Sequence, residues 1–317
     1  MVPLLSSSPE ERGPLERLLR WPSVQGYARG FARTDGVLHR TPALILYVDR
    51  KRSRRRLRVD ERLPRAWCSP EGRRLPVDVQ PLAAVATGGT RAGNPEYSRC
   101  VRPIRPGYSF GLYRRTGTLG LVVWPHRGPP RPLLLTSSHV CTRQADGQPY
   151  PLYQPAGYDA VPDAPPVACA FRSTRLHPRR PNHSEAGLAL PLDPDLVDPV
   201  HPLGPIRGIA GELHPGQRLH KVGRTTGRVE GEVTAVGWHG WIRFRHRRFP
   251  FARQVVVSGS NGPVSLDGDS GSVWITEHGE AAALSFAGCR MGLDSISTPI
   301  SLIFRLFDLR LPDHPDA

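Results

Sequence analysis

Residues Val264 to Val273 read Val-Ser-Leu-Asp-Gly-Asp-Ser-Gly-Ser-Val, and the tetrad Gly268-Asp269-Ser270-Gly271 inside them decides how the rest of the chain is read. A serine flanked closely by glycines sits on a turn whose backbone N–H groups can converge on one oxygen, the requirement of the oxyanion formed in acyl transfer. Ser270 is therefore a candidate nucleophile. Glycine, aspartate and serine are also the commonest turn formers, so the tetrad alone equally describes an ordinary turn. A second motif has to decide.

That motif lies upstream, where Leu133-Leu134-Leu135 forms a short apolar strand running into Thr136-Ser137-Ser138-His139-Val140. A buried strand ending in small hydroxyl residues and a histidine places an imidazole at a sheet rim, where it can act as general base toward a serine. An acid between the two is then needed to hold the imidazole in the right tautomer and to stabilise its cation. Glu185 in Ser184-Glu185-Ala186-Gly187-Leu188-Ala189-Leu190-Pro191 enters an apolar strand and is the candidate. Asp159, Asp163 and Asp193 are the alternatives, each in surroundings that read as a turn.

With these residues in place, the chain resembles the trypsin/chymotrypsin-like serine peptidases, whose triad runs His, Asp, Ser, and more narrowly a bacterial group with an added N-terminal domain. In that group the histidine follows a leucine-rich strand, as at His139, the acid opens a strand like Glu185 to Ala189, and the serine lies in GDSGS, here Gly268 to Ser272. Further likeness appears in Gly117-Thr118-Leu119-Gly120, Gln154-Pro155 and Lys221 to Gly227, so the similarity covers most of residues 100–305. Glu185 departs from the usual aspartate. A small strand shift can absorb one extra methylene, and glutamate serves this role in other triads.

The resemblance implies a mainly β fold: a chymotrypsin-like double antiparallel β-barrel preceded by a small α+β domain. Each barrel should have six strands, with Gly117 to Trp124 opening the first. In the second, Arg218 to Val222 should form one strand and Thr225-Thr226-Gly227 should turn into another at Val229 to Val236. His139 and Glu185 then come from barrel one and Ser270 from barrel two. The implied activity is peptide hydrolysis through an acyl-enzyme, with the N–H groups of Gly268 and Ser270 as oxyanion hole and with no metal or cofactor. In the resembling enzymes the strand after the serine pairs with the substrate backbone, which makes Phe286, Ala287 and Gly288 substrate-binding candidates. The specificity pocket should rest on Val264 and Ser265, and since neither is acidic, a preference for arginine or lysine is not expected.

In secreted relatives a freed amino terminus inserts beside the aspartate preceding the serine, here Asp269. Two routes are open for this chain. An internal arginine pairs with Asp269 in the uncut protein, or a cut near Arg114-Arg115-Thr116 supplies the terminus. The uncut route is the expected one, because the resembling bacterial chains share the continuous arrangement, and a buried carboxylate needs a partner in either case.

The 317 residues exceed a usual single-domain length, and 35 prolines with 32 glycines favour short strands joined by turns. We expect residues 1–98 to form the N-terminal α+β domain and 99–317 the peptidase domain. Ser8-Pro9-Glu10-Glu11 reads as a helix start, with Leu15, Leu18 and Leu19 at helical spacing before Pro22. Strand candidates follow at Gly26 to Ala32, Ala43 to Val48 and Val77 to Val79, and Thr87 to Ser98 reads as a linker. This domain serves either packing or the docking of a regulatory partner protein.

Net charge is +15, yet only Lys51 and Lys221 are lysines, so the cations are arginines spread along the chain. The densest run, Arg50 to Arg56, has no interleaved aromatics and reads as a solvated loop, its alternative being a phosphate or acidic-partner site. Ile242 to Arg248 alternates like a half-buried strand whose arginines face water or line a channel for an acidic substrate. Five cysteines fit neither zinc ligation nor a disulfide framework, and no stretch is long and apolar enough for a signal peptide or membrane helix. A cytoplasmic protease with a protein or peptide substrate, and no nucleic-acid or membrane partner, is the expectation. The rival readings are an inactive trypsin-like scaffold that binds a partner, a basic nucleic-acid-binding protein, and an esterase using the same triad.

Overall fold

The computed structural model describes residues 15–312 apart from 35–36, 69–71, 83–84, 87–91, 143–149, 161–162, 245 and 290. The first barrel is a six-stranded antiparallel sheet. Its strands in chain order are β8 (Leu121–Pro125), β9 (Leu133–Thr136), β10 (Pro151–Leu152), β11 (Ala168–Ser173), β12 (Gly187–Pro191) and, from the far end of the chain, β20 (Leu309–Arg310). A hairpin of β6 (Ser109–Leu112) and β7 (Arg115–Thr118) joins it through Gly111 and Tyr153, which exchange hydrogen bonds of 3.2 and 2.8 Å. The expected opening strand at Gly117 to Trp124 is thus two strands. The break falls at Leu119–Gly120, where a side chain on Gly120 would run into the carbonyl of Gly271.

The second barrel contains β14 (Arg218–Gly223), β15 (Gly227–Phe244), β16 (Arg247–Ser258), β17 (Val273–Thr276), β18 (Glu280–Gly288) and β19 (Asp294–Pro299). Their order, β14-β17-β18-β19-β16-β15, closes on itself because β14 also pairs with β15, so no edge is left open. Thr225 and Thr226 make the β14–β15 turn as the sequence implied. The stretch Ile242 to Arg248 is not one strand. It ends β15 and begins β16, with Arg243 opposite Arg248 and Phe244 opposite Arg247 near the hairpin tip.

The N-terminal strands extend the same sheet. β1 (Val24–Thr34) pairs antiparallel with β15, and beyond it lie β2 (Val37–Val48), β4 (Arg74–Pro81) and β3 (Ala66–Cys68). β1, β2 and β4 match the three strands read from the sequence, with longer ends, and β3 has no counterpart there. The expected helix start at Ser8 to Glu11 lies outside the described residues, and Arg17–Arg20 is a 3-10 turn that buries Leu18. Arg50 to Arg56 is exposed, as a solvated run should be. Two short strands complete the set, β5 (Val85–Ala86) and β13 (Gly208–Ile209), with one C-terminal helix, α1 (Ile300–Phe307), whose apolar face buries Ile300, Ile303, Phe304 and Phe307.

The apolar core between the barrels draws Leu121, Leu135, Ala186 and Leu188 from the first and Val273, Ile275 and Leu284 from the second, with α1 packed against both. The connection between the barrels carries a buried imidazole. His201 accepts the Leu203 N–H at Nδ1 (3.1 Å), and its Nε2 has no partner among the described residues. Burial pushes its pKa down to about 3.

The unfolded chain therefore takes up a proton at His201 near pH 6.5, whereas the folded chain does not until about pH 3. Stability must fall as pH drops through this window. Between pH 7.5 and 5, urea unfolding should show the wild type losing roughly 2 kcal/mol more than His201→Gln.

Candidate active site

β9 runs antiparallel to β12 with Thr136 opposite Gly187, and this register sets the residues after β9 over those before β12. A tight turn follows β9, closed by Val140 N–H to Ser137 O (3.1 Å), and it carries His139. Two residues ahead of β12, Glu185 lies directly against it. Glu185 Oε2 stands 3.1 Å from His139 Nδ1, with the carboxylate fully buried and the imidazole 14% exposed. The same carboxylate accepts the backbone N–H groups of Ser138 (3.1 Å) and His139 (2.8 Å) and a short hydrogen bond from the Ser138 hydroxyl. Three hydrogen bonds from Ser138 and His139 thus hold one buried anion and compensate its desolvation, while the imidazole lies against it at Nδ1 without a hydrogen bond of its own. The extra methylene of glutamate is accommodated without loss of the contact.

Two of the alternative acids are used elsewhere. Asp159 takes the Ser109 hydroxyl (2.6 Å) and a two-pronged pair from the Arg224 guanidinium, and Asp193 caps a 3-10 turn through Asp195 N–H (3.0 Å). Asp163 sits with φ 61 in a loop, with no hydrogen bond or ion pair to His139.

Ser270 lies on a turn tied by Asp269 N–H to Leu266 O and Ser272 N–H to Asp269 O, both 3.0 Å. Gly268 has φ +102, and a side chain there would collide with Thr225 Oγ1, so only glycine suits this turn. The N–H groups of Gly268 and Ser270 have no acceptor among the described residues, as an oxyanion site requires. One carbonyl joins the two halves of the cleft. Ser285 O accepts Gly271 N–H (2.8 Å) and the Ser137 hydroxyl (3.3 Å), so the residues flanking Ser270 and His139 meet on it. The serine itself is turned away. Its Oγ donates to Phe286 O at 3.4 Å, and His139 Nε2 has no hydrogen-bond partner among the described residues.

Of the substrate candidates, Ser265 faces Gly288, where an added side chain would touch the Ser265 hydroxyl at 3.0 Å. Val264 is packed with Leu219, Val233 and Trp274 inside barrel two. Phe286 and Ala287 are buried on β18. Two features escaped the sequence reading. An aromatic series runs from His139 to Phe244 (5.9 Å), Phe251 (6.0 Å) and Phe286 (5.1 Å), ring centre to ring centre. A buried hydroxyl row, Ser285–Ser295–Ser297, has spacings of 2.9 and 3.0 Å. Only the phenylalanines among the arginines of 242–251 hinted at the first, and the second depends on strand pairing alone.

Asp269 is paired in the continuous chain, and its cation is a lysine rather than the expected arginine. Lys221 Nζ lies 3.6 Å away and also donates to Thr226 Oγ1 (3.1 Å), both charges having zero exposure. Arg224 does not serve because its guanidinium reaches the other way to Asp159, while the N–H groups of Thr225 (2.9 Å), Thr226 (3.0 Å) and Leu266 (2.9 Å) complete the shell of Asp269. Burial lowers the pKa of Lys221, and the neighbouring Asp269 opposes that shift. Arg115, at the alternative cleavage position, donates to His139 O at 3.2 Å. Lys221→Met should destabilise the fold by roughly 3 kcal/mol in urea unfolding, since it strands a buried carboxylate, whereas Lys221→Met with Asp269→Asn should regain much of that loss.

No protein-family model matches the chain, and no curated protein matches it in sequence. Solved structures do match. A serine protease specific for glutamic acid aligns at a TM-score of 0.47 and 15% identity, over 66% of this chain and 100% of its own. Protease A of Thermobifida fusca gives 0.49 at 16%, over 67% and 99%, and the MamO protease domain of Magnetospirillum magneticum gives 0.34 at 11%, over 73% and 95%. These neighbours are serine proteases. From its own strand order, a closed second barrel packed across a cleft against a six-stranded first, the chain has the chymotrypsin-like double β-barrel fold.

Proposed function

We propose that the chain is a serine endopeptidase with His139, Glu185 and Ser270 as its triad. The observation that carries this reading is the buried Glu185 carboxylate on His139 Nδ1, facing a glycine turn that presents Ser270 with two unengaged N–H groups. In this mechanism Ser270 Oγ leaves Phe286 O and turns to His139 Nε2, which has no other hydrogen-bond partner among the described residues. Oγ then attacks the peptide carbonyl carbon as Nε2 takes its proton, and the resulting oxyanion is received by the N–H groups of Gly268 and Ser270. The tetrahedral species collapses as His139 returns the proton to the leaving amine. Water repeats the sequence on the acyl-enzyme, and Glu185 keeps Nε2 directed at the reacting atoms throughout.

Lys221 beside Asp269 supports activity of the uncut chain, without a cleavage near Arg115. Free thiols at all five cysteines support a reducing compartment, and a narrow substrate fits a protease working inside the cell. The N-terminal strands, continuous with the sheet that carries the candidate substrate strand, are the place for regulation. One observation favours the inactive-scaffold reading, the Ser270 hydroxyl pointing at Phe286 O rather than at His139. Apo sites often tighten such contacts only around substrate.

A fluorophosphonate probe should label the wild type and not Ser270→Ala, and absence of labelling in the wild type would leave the scaffold reading. With a peptide substrate, Ser270→Ala and His139→Ala should each lower kcat by roughly a millionfold, and Glu185→Gln by roughly ten-thousandfold. Near-normal turnover by Glu185→Gln would remove it from the triad. In a peptide library, cleavage should not follow arginine or lysine, because Val264 and Ser265 supply no anion.

A further inference from the structure

The edge of β18 at Gly288 is already paired. Val85 of β5 lies opposite Gly288 in antiparallel register. The same short strand runs parallel to the tip of β15, with Val85 opposite Arg243 and Ala86 opposite Phe244. A strand therefore stands on each side of β5. Both sides border the candidate catalytic groups: the Phe244 ring is 5.9 Å from that of His139, and Phe286, two residues before Gly288, takes the Ser270 hydroxyl at 3.4 Å.

The fold holds β5 there from both ends. Leu82, three residues earlier, is buried in the same apolar cluster as Phe286 and Ala287, and its N–H donates to Val48 O at 2.9 Å. The chain is anchored again at Asn94, whose N–H donates to Arg224 O at 2.9 Å, and at Tyr97, packed against Tyr108. A segment tethered in this way competes with a free peptide at an effective concentration on the order of millimolar, so even a short strand with few contacts is an effective competitor.

We propose that the groove between β18 and the tip of β15 is a two-sided strand-binding site for an extended peptide, and that residues 85–86 occupy it as an internal competitor which substrate must displace. The direction assigned to the substrate, antiparallel to residues 286–288, rests on the peptidase reading. The second edge, at Arg243 and Phe244, belongs to the long β15–β16 hairpin of this chain and adds backbone pairing on the far side of the bound strand. Such a site takes its affinity from main-chain hydrogen bonds and excludes proline from paired positions.

The test uses the full chain carrying Ser270→Ala and a fluorescein-labelled peptide with the chain's own residues 82–87, Leu-Ala-Ala-Val-Ala-Thr, followed by fluorescence anisotropy. Adding Val85→Pro, or separately Ala86→Pro, deletes one N–H of β5 and should tighten peptide binding by roughly five- to fiftyfold, the gain when a competent fraction of about 2–20% becomes dominant. With Ser270 restored, KM for a short peptide should fall by the same factor while kcat holds. Hydrogen exchange requires no proline variant: peptide added to Ser270→Ala should cost the amides of Val85 and Ala86 their protection. Unchanged affinity in both variants, or unchanged exchange, overturns the proposal. Tighter binding in a protein that no fluorophosphonate labels upholds the strand site and removes the peptidase reading, and labelling with unchanged affinity does the reverse. Chain shortening within residues 82–91 that needs Ser270 would make the segment a substrate instead of a competitor and overturns it as well.

Discussion

The buried Asp269 carboxylate is the constraint on which the rest of this site depends. With no exposure to water it must be paired within the protein, and its partners come from three places: Lys221 on β14, the turn at Thr225 and Thr226, and Leu266 just upstream. Satisfying one anion therefore ties the Gly268–Ser270 turn to the first hairpin of barrel two. The turn is also tied to barrel one, because Thr118 donates its hydroxyl to Gly268 O (2.9 Å) and its N–H to Ser270 O (2.8 Å). For the proposed oxyanion site, whose donors must be fixed before the charge appears, these contacts are the means of fixing.

Glu185 plays the matching part in barrel one. Its three hydrogen bonds all come from the Ser138–His139 segment, so the carboxylate and the imidazole beside it are positioned by the same few atoms. The two buried carboxylates lie in different barrels, and the Ser285 carbonyl, held by Gly271 on one side and Ser137 on the other, sets their relative position. The apolar interface that surrounds this carbonyl supplies the energy of docking, and the hydrogen bonds supply the direction.

The N-terminal strands belong to the same physical unit as barrel two. β1 lies along β15 and brings β2, β4 and the chain leading to β5 with it, so the segment nearest the cleft is an outcome of sheet extension. Arg33 on β1 approaches Asp294 at the start of β19 (4.0 Å), a further link between these strands and the barrel. A closed barrel has no free edge of its own. The end of β18 at Gly288 nevertheless offers one beside the proposed active site, and β5 lies against it.

Much of this was legible in the sequence because it rests on local chemistry. GDSG requires a glycine turn, Leu133 to Thr136 requires a buried strand ending near His139, and the span of Glu185 to Pro191 requires an apolar strand opening with an acid. Alternation and turn residues also located the N-terminal strands. Three matters needed the tertiary structure. Lys221 rather than an arginine faces Asp269, because side-chain direction at the β14–β15 turn sends Arg224 to Asp159. Phe244, Phe251 and Phe286 meet because β15, β16 and β18 fold into one barrel, a relation between residues far apart that no local pattern encodes. The short strand β5, just ahead of the span read as a linker, pairs with the end of β18 and the tip of β15. Composition marks where a chain can bend, whereas which unpaired N–H and C=O groups it then meets is settled only when the strands on either side have found their places.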